Sequence, residues 1–348
     1  MSKFTRPAAL AGALAVTMLL AGCAGGAGAS SSPSSSASAS AAAVKQASGT
    51  VTVYTSEPQD KLNELIADFN QVQPNVKVDA FRAGTGDLTT RIESERKSGG
   101  VKADVLWAAD APTFEQYKSD DLLLKYTPAD AKQLQPGMAE GSYTGTRIIP
   151  TVIAYNTSQI TSAPKSWKSL ADSKYAGKIT LPNPAVSGAA AYNAAAWYLT
   201  DGLGESWFQA LGKNKPVVAD SNGPVSQSVA AGTQPVGIVV DYLVRDLKAK
   251  GSPIAVSYPS EGVPYVDEPI GIFQSSQNTP AAKAFVDYVL SARGQKLAVK
   301  QNYLPVRGDV GTPAGAPALS KIKLLTPSLD KITAIKPTAL DAFTKNVG

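Results

Sequence analysis

The sequence contains no histidine among its 348 residues. This absence excludes Ser-His-Asp and Cys-His nucleophile chemistry, and it excludes zinc or iron sites whose ligands include histidine. Carboxylate-based enzymes such as glycosidases remain possible, because two acidic side chains suffice for their chemistry. The open classes are therefore a carboxylate-based hydrolase, a binding protein and a purely structural protein.

Strong charge and long apolar runs are also absent. The formal net charge is +5, and acidic and basic residues are mixed along the chain without a basic tract interleaved with aromatic residues. We therefore expect no binding to nucleic acid. Beyond the N-terminal segment, no apolar stretch is long enough to cross a bilayer.

Cysteine occurs once, at position 23, so an intramolecular disulfide is excluded and stability must come from a large core. Two basic residues, Lys3 and Arg6, precede an apolar run over residues 8–20 that has the length of a signal-peptide core. The following Leu20-Ala21-Gly22-Cys23 resembles a bacterial lipoprotein signal, in which the cysteine is lipidated and becomes the mature N-terminus. The alternative is a buried or chance thiol.

We expect residues 1–22 to be a signal peptide, whose removal would leave a net charge of +3. Residues 23–49 are then the lipidated Cys23 and a tether made almost wholly of Ala, Gly and Ser, which cannot bury enough apolar area to fold. The protein is expected at the cell membrane, held by its lipid and facing the extracellular or periplasmic side.

The rest of the chain predicts two lobes, since about 300 residues are many for one core. Strand patterns at residues 51–55, 76–81 and 103–107 alternate with helical spacing, which favours a parallel α/β sheet with right-handed crossovers. Ligands of such sheets bind beyond the carboxyl ends of the strands. We assign residues 50–148 and 264–348 to lobe 1 and residues 149–263 to lobe 2.

A series of motifs, in this order and spacing, resembles the extracellular solute-binding proteins of ABC importers. The motifs are Val53-Tyr54-Thr55-Ser56-Glu57, Ala103-Asp104-Val105-Leu106-Trp107, Ile149-Pro150-Thr151-Val152-Ile153-Ala154-Tyr155-Asn156, Trp167-Lys168-Ser169-Leu170, Gly177-Lys178-Ile179-Thr180-Leu181-Pro182-Asn183-Pro184, Tyr258-Pro259-Ser260-Glu261-Gly262-Val263-Pro264 and Tyr303-Leu304-Pro305-Val306-Arg307. The branch it resembles includes binders of ferric iron, phosphonates and sugar phosphates. The resemblance implies an α/β, two-lobe type 2 periplasmic-binding-protein-like fold with a ligand cleft between the lobes. It further implies a monomer that serves an ABC permease, without enzymatic activity and without a cofactor.

Helix starts at the ends of predicted strands are the candidate contacts in lobe 1. Ser56 and Gln59 have the spacing of a capping box, with Glu57 between them. Gly84 and Thr85 follow the second strand, where glycine permits close approach of the backbone to a ligand. Asp110 follows the third strand. Each position fits a plain helix cap or turn as well as a contact to the ligand.

The second lobe offers two similar helix starts. Ser187 is a good N-cap, and Gly188 and Ala189 after it leave their N–H groups unobstructed. Ser221 and Asn222 begin another helix. Helix starts that converge from both lobes would bind an anion through free backbone N–H groups.

A metal site is the alternative for the same cleft. In ferric-iron binders, adjacent tyrosines follow a strand of the second lobe, and this chain has only Tyr242 there, next to Asp241. Glu57, Asp110, Asp241 and Tyr242 could supply the hard oxygen ligands that ferric iron prefers. Tyr155, at a lobe crossing, is a candidate ligand contact or a hinge residue.

The sequence thus favours a solute-binding protein that captures a small anion, a phosphonate or phosphate ester, by closure of its lobes. Ferric iron or an iron chelate is the alternative ligand. A carboxylate-based cell-surface hydrolase and a structural lipoprotein are the alternatives from other classes.

The lipid anchor gives a direct prediction. Replacing Cys23 by serine removes the only thiol that could be lipidated, so Cys23→Ser should release the protein from membranes and leave its fold intact. Fractionation of cells, with circular dichroism of the released protein, measures both effects. A Cys23→Ser protein that still sediments with membranes in high salt would contradict the anchor.

Overall fold

The computed structural model describes residues 46–348. The predicted signal peptide, Cys23 and the tether up to residue 45 lie outside the described residues. The strands are β1 Gly49–Thr55, β2 Val76–Arg82, β3 Val105–Trp107, β4 Tyr143–Gly145, β5 Arg147–Asn156, β6 Ile179–Pro182, β7 Val217–Ala219, β8 Val236–Val240, β9 Ile254–Ser257, β10 Tyr265–Val266, β11 Pro269–Ile272 and β12 Leu304–Pro305. The α-helices are α1 Gln59–Val72, α2 Thr85–Lys97, α3 Ala111–Ser119, α4 Gly188–Tyr198, α5 Gly204–Gly212, α6 Asn222–Ala231, α7 Asp241–Ala249, α8 Thr279–Leu290, α9 Ala292–Lys300 and α10 Leu329–Asn346.

The first lobe is built on a five-stranded sheet in the order β2-β1-β3-β11-β4. Strands β1, β2 and β3 are parallel, as their alternation with α1 and α2 predicts. Strands β11 and β4, which the prediction did not include, are antiparallel to their neighbours, so the whole sheet is mixed. The reason is that β11 reaches β3 on the return from the second lobe rather than through a crossover helix.

The second lobe is built around β5, which pairs with β8, β9, β10 and β12. Strands β6 and β7 extend this sheet beyond β8 and are parallel to one another. All five residues of β8 are buried, which agrees with its uninterrupted run of apolar and β-branched residues. Strand β5 is therefore the long segment that leads from lobe 1 into lobe 2.

The last three helices do not all pack against the same lobe. Helix α8 packs on β1 and β11, and α9 contacts α1, so both return to lobe 1 as the sequence predicts. Helix α10 instead packs on α4 and α5, with the ring of Phe343 edge-on to Phe208 at 5.6 Å between centroids.

The assignment of residues 264–348 as a whole to lobe 1 therefore needs correction for α10, as well as for β10 and β12, which pair with β5. Helix α4 is apolar on all sides, and all its residues from Gly188 to Trp197 are buried. A helix of this kind needs cover on every face. Helix α10 packs on one face of α4, and its buried side chains form a small and apolar stripe: Ile332, Ala339, Ala342 and Phe343.

The result is a two-lobe α/β protein whose strand ends face a cleft between the lobes. Within residues 46–348, no helix has both the length and the apolar character needed to cross a membrane.

Candidate functional site

The cleft contains a cavity of about 190 Å³ at which five helices begin. The N-cap residues of α1, α2, α4, α6 and α7 all line it: Pro58, Gly84, Ser187, Ser221 and Val240. The first N–H groups of a helix have no partner within the helix, and the helix dipole places partial positive charge there. Two of these helices belong to lobe 1 and three to lobe 2, so the cavity can bind an anion from both sides.

The Asn222 side chain joins three of the helix starts. Its amide nitrogen donates to the Ser187 hydroxyl at 3.1 Å, and its amide oxygen accepts from the Val240 N–H at 3.2 Å. The Ser187 hydroxyl also accepts from the Ala190 N–H at 3.3 Å, as expected of an N-cap. These bonds hold the starts of α4, α6 and α7 in fixed relative positions.

The two lobes touch across the mouth of the cleft. The Gly86 N–H donates to the Val186 carbonyl oxygen at 3.2 Å. A β-carbon on Gly188 would lie 2.1 Å from the Ala109 carbonyl oxygen, and one on Gly84 would lie 2.6 Å from the Val186 side chain. Such distances leave no room for a side chain, so glycine permits this closed arrangement.

A buried cluster of charges forms the floor of the cleft. The Arg147 guanidinium, 1% exposed, donates to the Glu57 carboxylate at 2.7 Å and lies 3.3 Å from Glu268. It also packs 4.1 Å from the ring centroid of Tyr303, whose hydroxyl donates to Glu57 at 3.3 Å. Glu57 is thus bound inside the protein and does not line the cavity.

Glu268 differs from Glu57 because it lines the cavity. Its Oε2 is buried and lies 3.3 Å from the Arg147 Nε, an ion pair without a well-aligned hydrogen bond, and its backbone is left-handed at φ 45°. Burial, with the nearby Glu57 carboxylate, raises the pKa of the Glu268 carboxyl well above its usual value. The sequence reasoning missed this residue, because no motif marks it.

Arg82 is a second residue that the sequence reasoning missed. It ends β2 and is the one basic side chain that lines the cavity among the described residues. Its Nε donates to the Glu57 carbonyl oxygen at 3.1 Å. Its place at the carboxyl end of a predicted strand was a signal that could have identified it.

Most of the predicted contacts are brought together by the fold. The residues that line the cavity are Ser56, Gly84, Thr85, Ser187, Gly188, Ala189, Ser221, Asn222 and Tyr242. The predicted capping box of Ser56 and Gln59 does not form, because α1 begins later, with Pro58 at its N-cap. The Ser56 hydroxyl instead accepts from the Ala109 N–H at 3.4 Å.

The other predicted contacts do not line the cavity. Glu57 is bound to Arg147, Asp110 is paired with Lys336 of α10, and Asp241 accepts from Arg245 at 2.6 Å. Tyr155 lies within β5, opposite Val236 and Ala255, in the interior of the sheet. Ion pairs hold the three acidic side chains, and strand pairing holds Tyr155, so none of the four faces the cleft.

The predicted iron ligands are therefore not assembled. Of the four, Tyr242 alone reaches the cavity, and its ring packs on Tyr303 with 4.3 Å between centroids. Burial first, and then the Glu57 charge, raise the pKa of the Tyr242 hydroxyl above its usual value. This environment favours a neutral phenol over the tyrosinate that a ferric site uses.

The chain matches the family model described as bacterial extracellular solute-binding protein over residues 51–304. The chain belongs to this family. It is a solute-binding protein of an ABC importer. It acts outside the cytoplasm together with the permease of the importer, and it is not an enzyme. The two-lobe type 2 periplasmic-binding-protein-like fold is thereby confirmed, and the hydrolase alternative is wrong.

Individual relatives differ in what their names say they bind. A Salmonella paratyphi A protein named "Putative 2-aminoethylphosphonate-binding periplasmic protein" is 25% identical over 320 residues, covering 84% of this chain and 87% of that protein. The Iron uptake protein A1 of Synechocystis is 23% identical over 307 residues, 81% of this chain and 82% of that protein. The periplasmic binding protein AfuA of Actinobacillus pleuropneumoniae, solved with fructose-6-phosphate, superposes with a TM-score of 0.79 at 24% identity. It covers 86% of this chain and 98% of its own.

The tight contact at Gly188 leads to a prediction about closure. Gly188→Ala should hold the lobes apart, because its β-carbon would overlap the Ala109 carbonyl, and ligand affinity should fall by about tenfold or more. Small-angle scattering measures the loss of compaction. The matched control is Gly223→Ala, also at a helix start that lines the cleft, where the added β-carbon meets nothing nearer than the Ser221 hydroxyl at 4.0 Å. Equal behaviour of both variants would contradict this account of closure.

Proposed function

We propose that the solute is a small phosphonate or phosphate ester whose charged oxygens are bound by the helix N-termini of the cleft. The observation that carries this proposal is the presence of five helix N-caps in one cavity of about 190 Å³. Several N–H groups from both lobes can then share one tetrahedral anion. The phosphonate named in the Salmonella relative and the sugar phosphate bound to AfuA belong to this chemical class.

The position of Glu268 narrows the proposed class of solutes further. An acidic side chain in an anion-binding cavity repels a simple anion and attracts a positively charged group of the ligand. A zwitterionic solute satisfies both ends, with its phosphonate at the helix starts and its ammonium at Glu268. We therefore favour an aminoalkylphosphonate, of which 2-aminoethylphosphonate is a suitable probe.

Ferric iron or an iron chelate remains the second candidate because Tyr242 lines the cavity and one relative is an iron uptake protein. Against it, the acidic side chains of the predicted donor set are engaged by Arg147, Lys336 and Arg245. Among the described residues, no group of three acidic or thiol side chains is placed to hold a metal ion.

The first test replaces Ser221 to decide whether the ligand is a phosphonate or iron. Ser221 lines the cavity, and its hydroxyl does not cap α6, so it is free to donate to the ligand. Loss of one hydrogen bond to a charged oxygen costs roughly 1.5–3 kcal/mol, so Ser221→Ala should weaken 2-aminoethylphosphonate binding about ten- to a hundredfold in calorimetry.

Ser228→Ala, at the far end of the same helix and away from the cavity, is the matched control and should bind like the wild type. Titration with ferric citrate completes the experiment. A coloured ferric complex that Tyr242→Phe abolishes, together with no heat from 2-aminoethylphosphonate, would reverse the choice in favour of iron.

The second test concerns the proton of Glu268. Its raised pKa means that the carboxyl of the free protein carries a proton to higher pH than usual, whereas an ammonium favours the ionised form. Binding of 2-aminoethylphosphonate should therefore release protons, and its affinity should rise with pH until the raised pKa is passed. Calorimetry in buffers of different ionisation enthalpy measures this release.

Ethylphosphonate is the control ligand, because it shares the phosphonate ionisation and lacks the ammonium. Glu268→Gln should weaken 2-aminoethylphosphonate by about tenfold or more and should not weaken ethylphosphonate, which Glu268 repels. Equal losses for both ligands would show that Glu268 does not contact the ammonium.

We further propose that the protein acts as a monomer tethered by lipid at Cys23. A tether that begins at residue 23 and ends before β1 starts at Gly49 would let the folded lobes reach the permease while the anchor keeps them at the membrane. The expected membrane release of Cys23→Ser is the test of this part of the proposal.

A further inference from the structure

A second cavity, of about 200 Å³, lies on the opposite side of the chain segment that bounds the cleft. Along residues 265–268 the side chains alternate, so Val266 and Glu268 line the cleft while Tyr265 and Asp267 line the second cavity. Both lobes contribute to it, with Tyr143 from β4 and Tyr192 from α4. The cavity is separate from the proposed solute site, although Val266 lines both.

The second cavity carries negative charge without a balancing cation. Its lining includes Asp267 and Glu140 and contains no lysine or arginine among the described residues. Neither carboxylate forms an ion pair in the described part of the chain; Asp267 is half-buried and Glu140 is exposed. Burial, with the neighbouring Glu140 charge, raises the pKa of the Asp267 carboxyl to about 6. A cationic guest would relieve this cost of desolvation.

Three tyrosines surround these carboxylates. Tyr143 is fixed by its hydroxyl, which donates to Glu115 at 2.6 Å. Tyr192 is only 8% exposed and lines the cavity, yet its hydroxyl has no hydrogen-bond partner within residues 46–348. This hydroxyl is therefore free to contact a molecule in the cavity. Tyrosine rings attract cations through their faces, and ammonium groups are recognised in aromatic sites of this type.

We propose that this cavity binds a small organic ammonium ion, held between the Asp267 and Glu140 carboxylates and the rings of Tyr192 and Tyr265. The carboxylates supply the charge, the tyrosines supply a surface for alkyl groups, and the free Tyr192 hydroxyl supplies a further polar contact. Because lobe 1 and lobe 2 both line the cavity, the bound cation contacts both lobes.

Choline chloride is the probe, measured by calorimetry on the wild-type protein. Dimethylbutanol, its neutral carbon isostere, tests whether charge is required. We expect saturable binding of choline and none of the isostere. Asp267→Asn should weaken choline binding by about tenfold or more, because the nearest carboxylate is lost. Asp172→Asn, which removes an equal charge from an exposed site, should have no effect.

Tyr192→Phe keeps the ring and the packing and is the second variant, so the result does not depend on one substitution folding well. It should weaken choline binding less than Asp267→Asn does. Asp267→Asn should bind 2-aminoethylphosphonate like the wild type, which separates failure of this proposal from failure of the proposed solute.

Several results would overturn the proposal. They are no saturable choline binding at about 100 mM, equal binding of the neutral isostere, unchanged affinity in Asp267→Asn, or displacement of choline by 2-aminoethylphosphonate. Competition by calcium chloride at equal concentration would assign the cavity to an inorganic cation and would also contradict the proposal.

Discussion

The buried guanidinium of Arg147 joins three chain segments that form the floor of the cleft. Glu57 follows the end of β1, Arg147 begins β5, and Glu268 lies between β10 and β11. Removing one member of a buried ion cluster typically costs about 3–5 kcal/mol, because the remaining charge has no partner. The cluster therefore fixes where the strands that cross between the lobes meet lobe 1. It also places the Glu268 carboxylate next to the cavity.

On this floor, the proposed recognition of an anion depends mainly on the backbone. Five helix starts and a single basic side chain, Arg82, line the cavity among the described residues. Backbone N–H groups provide directed hydrogen bonds without the flexibility of a lysine, which suits a site that must close around a small tetrahedral anion. The absence of side chains at Gly84 and Gly188 lets the two sets of helix starts approach each other. The proposed recognition and closure thus depend on the same short loops.

Much of this arrangement could be predicted from the sequence. Strands β1 and β2 lie within two residues of their predicted bounds, because alternating β-branched and polar residues mark them locally. The helix starts at Ser187 and Ser221 were predicted because capping residues and glycine mark them locally. The acidic residues predicted to contact the ligand do not line the cavity, because they form ion pairs with basic residues that are mostly distant in the sequence. Asp110 is paired with Lys336, 226 positions away, and Glu57 with Arg147, 90 positions away. Only the ion pair of Asp241 could have been predicted locally, because Arg245 lies four positions after it. The place of α10 depends on which face of α4 needs cover, which no local pattern reveals.

The central claim is that the cleft is built for a phosphorus oxyanion. Its most direct test is mass spectrometry of the ligand released on denaturing protein freshly purified from its native cells. The account predicts an organophosphorus compound, close to one per protein chain, and colourless protein. Stoichiometric iron, or a bound sugar or peptide that lacks phosphorus, would contradict it.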